Sequence, residues 1–539
     1  MRAPTAGIPL TDYGPTGLLV RFADRVDAAA FQRGKRVQAV LGSGGGEGLV
    51  EVVPAFTTLL LVFVSPESRR RARPVVAGRL ARWVAGEQGG EAVPGGQESR
   101  VVEIPVRYPG PDLSRVAESA GLSVEEAVAQ LVGARYRVHC LGFAPGFPYL
   151  GGLPHRLHTP RLATPRPRIP AGSVAIGGEH AGIYPVASPG GWNLVGWTPA
   201  RLFRPEAEES GEMFLLRPGD ELRFFPEAGP APAAGAGVPA EEAAAGTGVG
   251  PGSPCLRVWS AGGGISLQDL GRPGYARFGV APGGSLDPVA AGWANRLLDN
   301  APGAPVLELC LGGQEFEALA SGWVAVAGAG EVLQGTARRW ATFRVGRGER
   351  FRVGPGPSGI WTYLAVPGGF TGRRVLGSCS VQARAGLGRG GRPGDTLGRH
   401  PADGFRPPGA TAGRRVFWTE VADYATPPVL GVWPGPQWED FTDAERGRFF
   451  AREWTVSPRS DRVGYRLEGG RITPPGGQMI SEPVLPGSIQ IPPDGRPIVT
   501  MADGPTLGGY PKLGVVEAGD LFWLAQCRPG HRCRFAPLG

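Results

Sequence analysis

The stretch from Leu141 to Thr198 constrains the fold more than any other part of the sequence. It opens LGFAPGFPYLGGLP, continues TPRLATPRPRIPAGSVAIGG and ends IYPVASPGGWNLVGWTP. Gly and Pro are crowded between Phe, Tyr, Trp and aliphatic residues. A flexible linker would be polar and poor in aromatics; this stretch instead alternates bends with residues that gain from burial. It predicts short strands joined by sharp turns, forming either a pocket wall or a plain set of β-turns. The whole chain shares this grain, with 89 Gly and 56 Pro among 539 residues. A β-rich, turn-rich architecture of roughly three to four domains is expected.

Composition bounds the class. The formal net charge of +8 is diffuse, and the RRRAR run at 69–73 reads as the solvated face of a helix. There is no aromatic-plus-basic pattern and no zinc-finger spacing, so no nucleic-acid partner is expected. The six Cys (140, 255, 310, 379, 527 and 533) form no CxxC pair and suit reduced, buried thiols. The N-terminus carries no apolar leader core, and the longest apolar run, 58–64, is too short for a bilayer. A soluble, cytoplasmic protein with no membrane partner is expected. Two of the 56 basic residues are Lys, at 35 and 512. Against such an Arg bias a Lys draws notice, because Arg cannot replace a compact, titratable ammonium.

In chain order, 16–24 reads as a strand and 27–41 as a helix with Asp27 as N-cap. Strands follow at 49–53 and 57–64, then a helix at 66–86 interrupted near Pro74. A strand at 101–108 precedes helices at 112–120 and 123–132, where Ser123 and Glu126 fit a capping box. Residues 227–253 are low-complexity Ala/Gly/Pro and cannot bury a core; they read as a fusion joint. Beyond it, Asp287 and Pro288 start a helix to 299, short strands follow, 414–421 resumes the strand pattern, and 442–453 is helical. A Gly turn feeding an alternating strand recurs as LRPGDELRF (216–224), VGRGERFRV (345–353) and CRPGHRCRF (527–535), with VEAGDLFWL (516–524) a looser copy. Three related β modules are expected from it.

No Walker A, GxSxG, HExxH or dinucleotide fingerprint is present. His155 and His158 are too few for zinc, and no metal site is expected. His139 is either a satisfied core imidazole or a general base. Asp287 is either the N-cap alone or also catalytic, and Asn295, eight residues on, shares roughly its helix face; Glu308 alternates with apolar neighbours, where a carboxylate needs a partner. Arg459, Asp461 and Arg462 (SPRSDRVGYRLEG) form either an anion holder or a turn lock. Glu482 and Gln490 lie in ISEPVLPGSIQIPPDG. Asp503, Tyr510 and Lys512 surround a Gly-Gly turn, and Lys512 reads as a functional cation.

LGFAPGFPYLGGLP, TPRLATPRPRIPAGSVAIGG, GIYPVASPGGWNLVGWTP and LRPGDELRF resemble the allophanate-hydrolase-subunit-1 family, also called KipI-like or the 5-oxoprolinase B component. GISLQDLGRPGYARFGVAPGGSLDPVAAGWANRLLDN, LELCLGG, SPRSDRVGYRLEG, ISEPVLPGSIQIPPDGRPIV and DGPTLGGYPKLGVV resemble the allophanate-hydrolase-subunit-2 family, also called KipA-like or the 5-oxoprolinase C component. Together they cover 8–226 and 255–536, as a fusion of the two. The resemblance implies an α+β, mainly β chain: a small α/β domain (1–98), a cyclophilin-like β-barrel (99–226), a linker (227–254), and two further such barrels (255–372 and 373–539).

It also implies a partner, the LamB/YcsF-like A component of 5-oxoprolinase, and ATP-dependent opening of the lactam 5-oxoproline to glutamate, with Mg²⁺ accompanying ATP. A homo-oligomer is open. The chain has no biotinyl-lysine motif, so it carries no biotin attachment site. Two alternatives remain: the carboxyltransferase part of a biotin-dependent system resembling urea carboxylase, and a KipI/KipA-type regulator of a histidine kinase. Under the lactamase reading, Lys512 and Arg462 stabilise anions with Arg459 in support, and Asp461 or Asp503 handles a proton or metal. Tyr510 and Asn193 orient substrate, and Phe147, Trp192 and Asn193 line the pocket. Residues 141–198 and 459–512 must then face one cleft.

Overall fold

Residues 17–21 (GLLVR) are apolar without alternation, which calls for cover on both faces of the strand. A computed structural model, describing residues 8–42, 46–88, 100–229, 252–333, 338–402, 405, 413–477 and 479–538, shows that cover. The N-terminal layer is an antiparallel sheet in the order Leu10–Tyr13, Gly17–Arg21, Thr58–Phe63, Leu49–Pro54. Leu18, Val20, Leu59 and Leu61 face helices Ala28–Gly42 and Pro66–Gln88. Leu19, Leu60, Val53 and Tyr13 face the other way, onto Val515 near the chain's end. Asp27 caps the first helix through the Ala30 amide at 2.7 Å. The second helix is not interrupted: Pro74 sits within it on its exposed side, where the carbonyl it leaves unbonded can meet water.

The second module is a seven-stranded sheet, from Asn193–Trp197 through Ser173–Gly177, His180–Ile183, Pro148–Gly151, Tyr136–Leu141 and Glu221–Pro226 to Val101–Val106. Reciprocal bonds between Arg107 and Trp197 join its two ends into a barrel. The capping box at Ser123 and Glu126 is present. The third module is a pair of five-stranded sheets around one core that includes Leu256, Phe316, Val326, Phe343 and Leu364. The fourth is a closed barrel of seven strands, among them Val429–Pro434, Ser488–Gln490 and Lys512–Val516. The chain is thus α+β and mainly β.

Three tight copies of the Gly-turn repeat feed strands Glu221–Pro226, Arg350–Gly354 and Arg532–Pro537, with Gly219, Gly348 and Gly530 all at positive φ. The looser fourth copy differs: after its turn the apolar run LFWLA forms helix Leu521–Ala525. Two expectations need correction. Residues 414–421 do not form a strand; they end in a 3-10 turn at Trp418–Glu420 with Phe417 and Trp418 exposed, so the aromatic pattern there was not a burial pattern. A boundary at 372/373 also fails, because strand Thr396–Arg399 is the edge partner of Ser253–Ala261 in the third module. Most of the expected linker lies outside the described residues.

The modules meet around the loop at 271–285. Phe278 stacks on Phe214 at 4.6 Å and pairs in parallel with Leu141. The Glu51 carboxylate of the N-terminal layer accepts from the Ala276 and Arg277 amides at 3.1 and 2.9 Å. Among the described residues, no helix is long and apolar enough to cross a membrane.

Candidate functional site

The aromatic stretch builds one wall of an interface. Strands Tyr136–Leu141 and Pro148–Gly151, with the turn between them, present Phe143, Phe147 and Tyr149. Phe147 meets Trp192 at 5.6 Å, Tyr184 at 5.2 Å and Tyr149 at 5.1 Å, all edge-on, the geometry that ring quadrupoles favour. Phe56 of the N-terminal layer and Leu507 of the C-terminal barrel complete the same cluster. Gly142 is required for the approach: a Cβ there would lie 2.3 Å from Leu507 Cδ1. Residues 141–198 and the 480–512 region therefore share one junction.

His139 lies at the edge of that wall, against Phe31 at 5.3 Å and Phe56 at 5.6 Å. His180, missed from sequence, stacks on Phe56 at 4.3 Å. Burial pushes both imidazoles down to about 4, assisted by Arg137 for His139 and by His139 itself for His180. Both are neutral at pH 7. Asn193 is wholly buried, its Nδ2 donating to the carbonyls of Pro160 and Ile176 and its Oδ1 accepting from Arg115. Its amide braces the barrel instead of lining a pocket, a correction of the orienting role expected for it.

The charged candidates fall into two groups. In the first, Glu482 of the short strand Glu482–Pro483, which pairs with Leu507–Gly508, lies beside Lys512. The Glu482 carboxylate, 1% exposed, accepts from Arg21 at 2.7 Å and Gln437 at 2.8 Å, and lies 3.5 Å from the Lys512 ammonium. Lys512 Nζ also lies 3.4 Å from the Tyr510 carbonyl. Both distances exceed the 2.7–2.9 Å usual for charge-assisted bonds, so the ammonium is loosely held. Lys512 is fully buried, and desolvation lowers its pKa, with the Arg21 charge adding and Glu482 opposing. Two cations share one carboxylate, an excess of one positive charge. Arg21, 38% exposed, is the member that meets solvent. Gln490 donates to Thr500 Oγ1 at 2.9 Å, and the Tyr510 ring is exposed.

In the second group Arg462 is paired with Glu308 and, at 2.8 and 3.1 Å, with both oxygens of Asp503. Glu308 also accepts from Tyr363 at 2.7 Å and the Leu286 amide at 2.9 Å. Asp287 caps its helix and accepts from Tyr424 and Gln526 at 2.6 and 2.8 Å. Asn295 likewise holds the Ala304 carbonyl at 2.9 Å. One guanidinium serves two carboxylates here, and Asp287 is met by neutral donors alone, so the group locks the third module to the fourth and offers no cation to an incoming anion. Asp461 accepts from the Val463 amide at 2.8 Å and pairs with Arg384 near the surface, while Arg459 is exposed. The structure thus does not gather Asp461, Arg459, Arg462 and Asp503 around Lys512. The residues that do surround it, Arg21 and Gln437, carry no motif; the Arg21–Glu482 pair spans 461 residues of sequence.

Residues 8–213 match the family model described as carboxyltransferase domain, subdomain C and D, and residues 278–537 the one described as subdomain A and B. A 5-oxoprolinase B component of Escherichia coli O157:H7 is 46% identical over 182 residues, 33% of this chain and 78% of that protein. A 5-oxoprolinase C component of Escherichia coli K12 is 33% identical over 292 residues, 52% of this chain and 90% of that protein. The chain belongs to the 5-oxoprolinase B-component and C-component families. It carries both units, B-type first. The crystal structure of TTHA0988 superposes with a TM-score of 0.80 at 37% identity, covering 97% of this chain and 100% of that one. The Glu482 cluster therefore draws Arg21 from the B-type unit and Lys512 from the C-type unit.

Proposed function

We propose that the chain supplies the B and C components of an ATP-dependent 5-oxoprolinase, opening 5-oxo-L-proline to L-glutamate together with a LamB/YcsF-like A component. The observation that carries this reading is the Glu482 carboxylate shared between Arg21 of one unit and Lys512 of the other. Opening a lactam requires an activated carbonyl, and charge develops on its oxygen as water adds. A buried, loosely held ammonium with excess positive charge suits that oxyanion or a phosphoryl group upon it. The aromatic wall of Phe56, Phe147, Trp192 and Leu507 keeps water from the neighbouring junction.

Lys512 is the anion stabiliser in this reading, Arg21 receives the substrate carboxylate at the solvent edge, and Glu482 and Gln437 position both. His139 and His180, neutral and beside the wall, are the bases within the junction. The cluster fits one phosphoryl or carboxylate group. It does not fit a magnesium ion, since its one carboxylate is already engaged by Arg21, Gln437 and Lys512.

The test is glutamate release from 5-oxoproline in the presence of ATP, with and without an active A component. Release that requires this chain supports the reading, and no turnover with an active partner refutes it. The match to carboxyltransferase models favours one second reading, carboxyl transfer from a separate biotin carrier protein. Consumption of a carboxylated carrier by this chain, without ATP-dependent glutamate release, would select it.

A further inference from the structure

Next to the strand that carries Glu482 lies a cavity of about 110 Å³. At 10–15 Å³ for each water-sized occupant, it has room for about seven to eleven such groups. It sits where three parts of the chain meet: the N-terminal sheet (Leu60), the loop at 271–285 (Val280), and the C-terminal barrel (Leu485, Met501). Glu482 serves the Lys512 cluster and Leu507 the hydrophobic wall, while their chain neighbours Pro483, Val484 and Thr506 line this cavity.

Two polar groups at the cavity have unmet hydrogen-bonding capacity. Arg272 is 2% exposed and Thr506 is 3% exposed. Arg272 donates from Nε to the Val375 carbonyl at 3.3 Å, and from Nη2 to those of Ser378 and Ser380 at 3.4 and 2.5 Å. Those carbonyls belong to a segment bordering a separate cavity. In the planar guanidinium, Nε–H and Nη2 share one edge and Nη1 lies on the opposite edge. Nη1 therefore faces away from that segment, and it is buried without a partner, as is Thr506 Oγ1. The Glu51 carboxylate borders the same cavity, but its oxygens are engaged by the Ala276 and Arg277 amides and the Arg277 guanidinium.

An apolar chamber bordered by a guanidinium with one unused nitrogen and by an unpartnered hydroxyl selects an anion with a compact apolar body. We infer that this cavity is a binding site for a small monocarboxylate, held by Arg272 Nη1 and Thr506 Oγ1 with its hydrocarbon part among Leu60, Val280 and Leu485. Carboxylate suits a guanidinium donor better than a neutral amide does. The site is separate from the Lys512 cluster, but Pro483, the residue after Glu482, lines it, so occupancy bears on the strand that positions Glu482.

The experiment is titration of the full chain with pentanoate, with 5-oxo-L-proline, and with pentanamide as the uncharged control, by calorimetry and ligand-observed NMR. Saturable carboxylate binding is expected, with pentanamide at least tenfold weaker. Val62→Phe, which narrows the cavity, and Thr506→Val, which removes the hydroxyl at nearly constant volume, should each weaken pentanoate at least tenfold. Lys512→Met should leave pentanoate binding within a factor of two. Absence of saturable binding would overturn the inference. So would pentanoate binding that survives Val62→Phe and Thr506→Val, or that is lost in Lys512→Met. None of these readouts depends on ATP-dependent glutamate release, so the inference and the proposed function stand or fall separately.

Discussion

Replacing Lys512 by Met separates a catalytic cation from a structural one. Met is similar in length, so the packing around residue 512 is kept. Glu482 keeps Arg21 at 2.7 Å and Gln437 at 2.8 Å, so one carboxylate then faces one guanidinium and no buried charge is orphaned. Breaking a buried pair usually costs about 3–5 kcal/mol, but exchanging buried ions for apolar groups is often neutral or stabilising by about 1–4 kcal/mol. The second case applies here, so the melting temperature should hold or rise. The pH dependence has a definite sign. Burial sets the folded-state pKa of Lys512 below its ordinary value of 10.5. As pH falls through the ordinary value, the unfolded chain takes up a proton that the folded chain refuses, and stability drops until the lowered folded pKa is passed. Lys512→Met should lack that alkaline slope. Losing one preorganised oxyanion stabiliser costs about 100–1,000-fold in kcat, or about 2.7–4 kcal/mol. The assay is ATP-dependent glutamate release with the A component present, run beside thermal unfolding from pH 7 to 11. Full activity in the variant removes Lys512 from the site. Activity lost together with a large fall in melting temperature refutes the catalytic assignment and makes Lys512 a structural ion.

Arg462→Met should behave oppositely, because it leaves Glu308 and Asp503 without their cation; a loss of about 3–5 kcal/mol is expected in denaturant unfolding. Gly142→Ala places a methyl against Leu507 and should loosen the junction, with partial rescue by Leu507→Ala in a double-mutant cycle of unfolding free energies. Stability should fall as pH drops from about 6.5 to about 4, because the unfolded chain protonates His139 and His180 before the folded chain does; Phe or Gln at both positions should flatten that limb of a pH–melting curve. Separately expressed 1–238 and 239–539 should copurify, and Arg277→Ala should weaken that association by removing the guanidinium that pairs with Glu51.

What was legible in the sequence was mostly local. Asp27, Ser123 with Glu126, and Asp287 each cap a helix with groups three residues away, so the signal and the structure occupy one short window. The three tight repeat copies were legible for the same reason. The fourth misled because its Gly turn was right while the following LFWLA lacks the polar alternation that holds a strand half-exposed. Glu308 shows the limit: its apolar neighbours required a buried partner, but nothing local could name Arg462, 154 residues away. The pairing of Arg459 and Asp461 with Lys512 failed similarly. Lys512 is wholly buried, whereas Arg459 is exposed and Asp461 pairs with Arg384 near the surface.

The placement of charge also explains why the two units belong on one chain. Strand Gly17–Arg21 buries one face under its own helices and the other against Val515. Tyr13 sets this docking with its hydroxyl 2.9 Å from Ser488 Oγ and 3.2 Å from the Pro483 carbonyl. Because the strand is rigid, that contact fixes where its last residue, Arg21, falls, and Arg21 falls on Glu482. Remove the B-type unit, and Glu482 and Lys512 become a lone pair at 3.5 Å, closer to charge neutrality and without the solvent-facing guanidinium. The excess positive charge that suits an anion thus exists only in the assembled B–C pair. A covalent link keeps the effective concentration of the two units high regardless of expression level, so the site is assembled wherever the chain is folded.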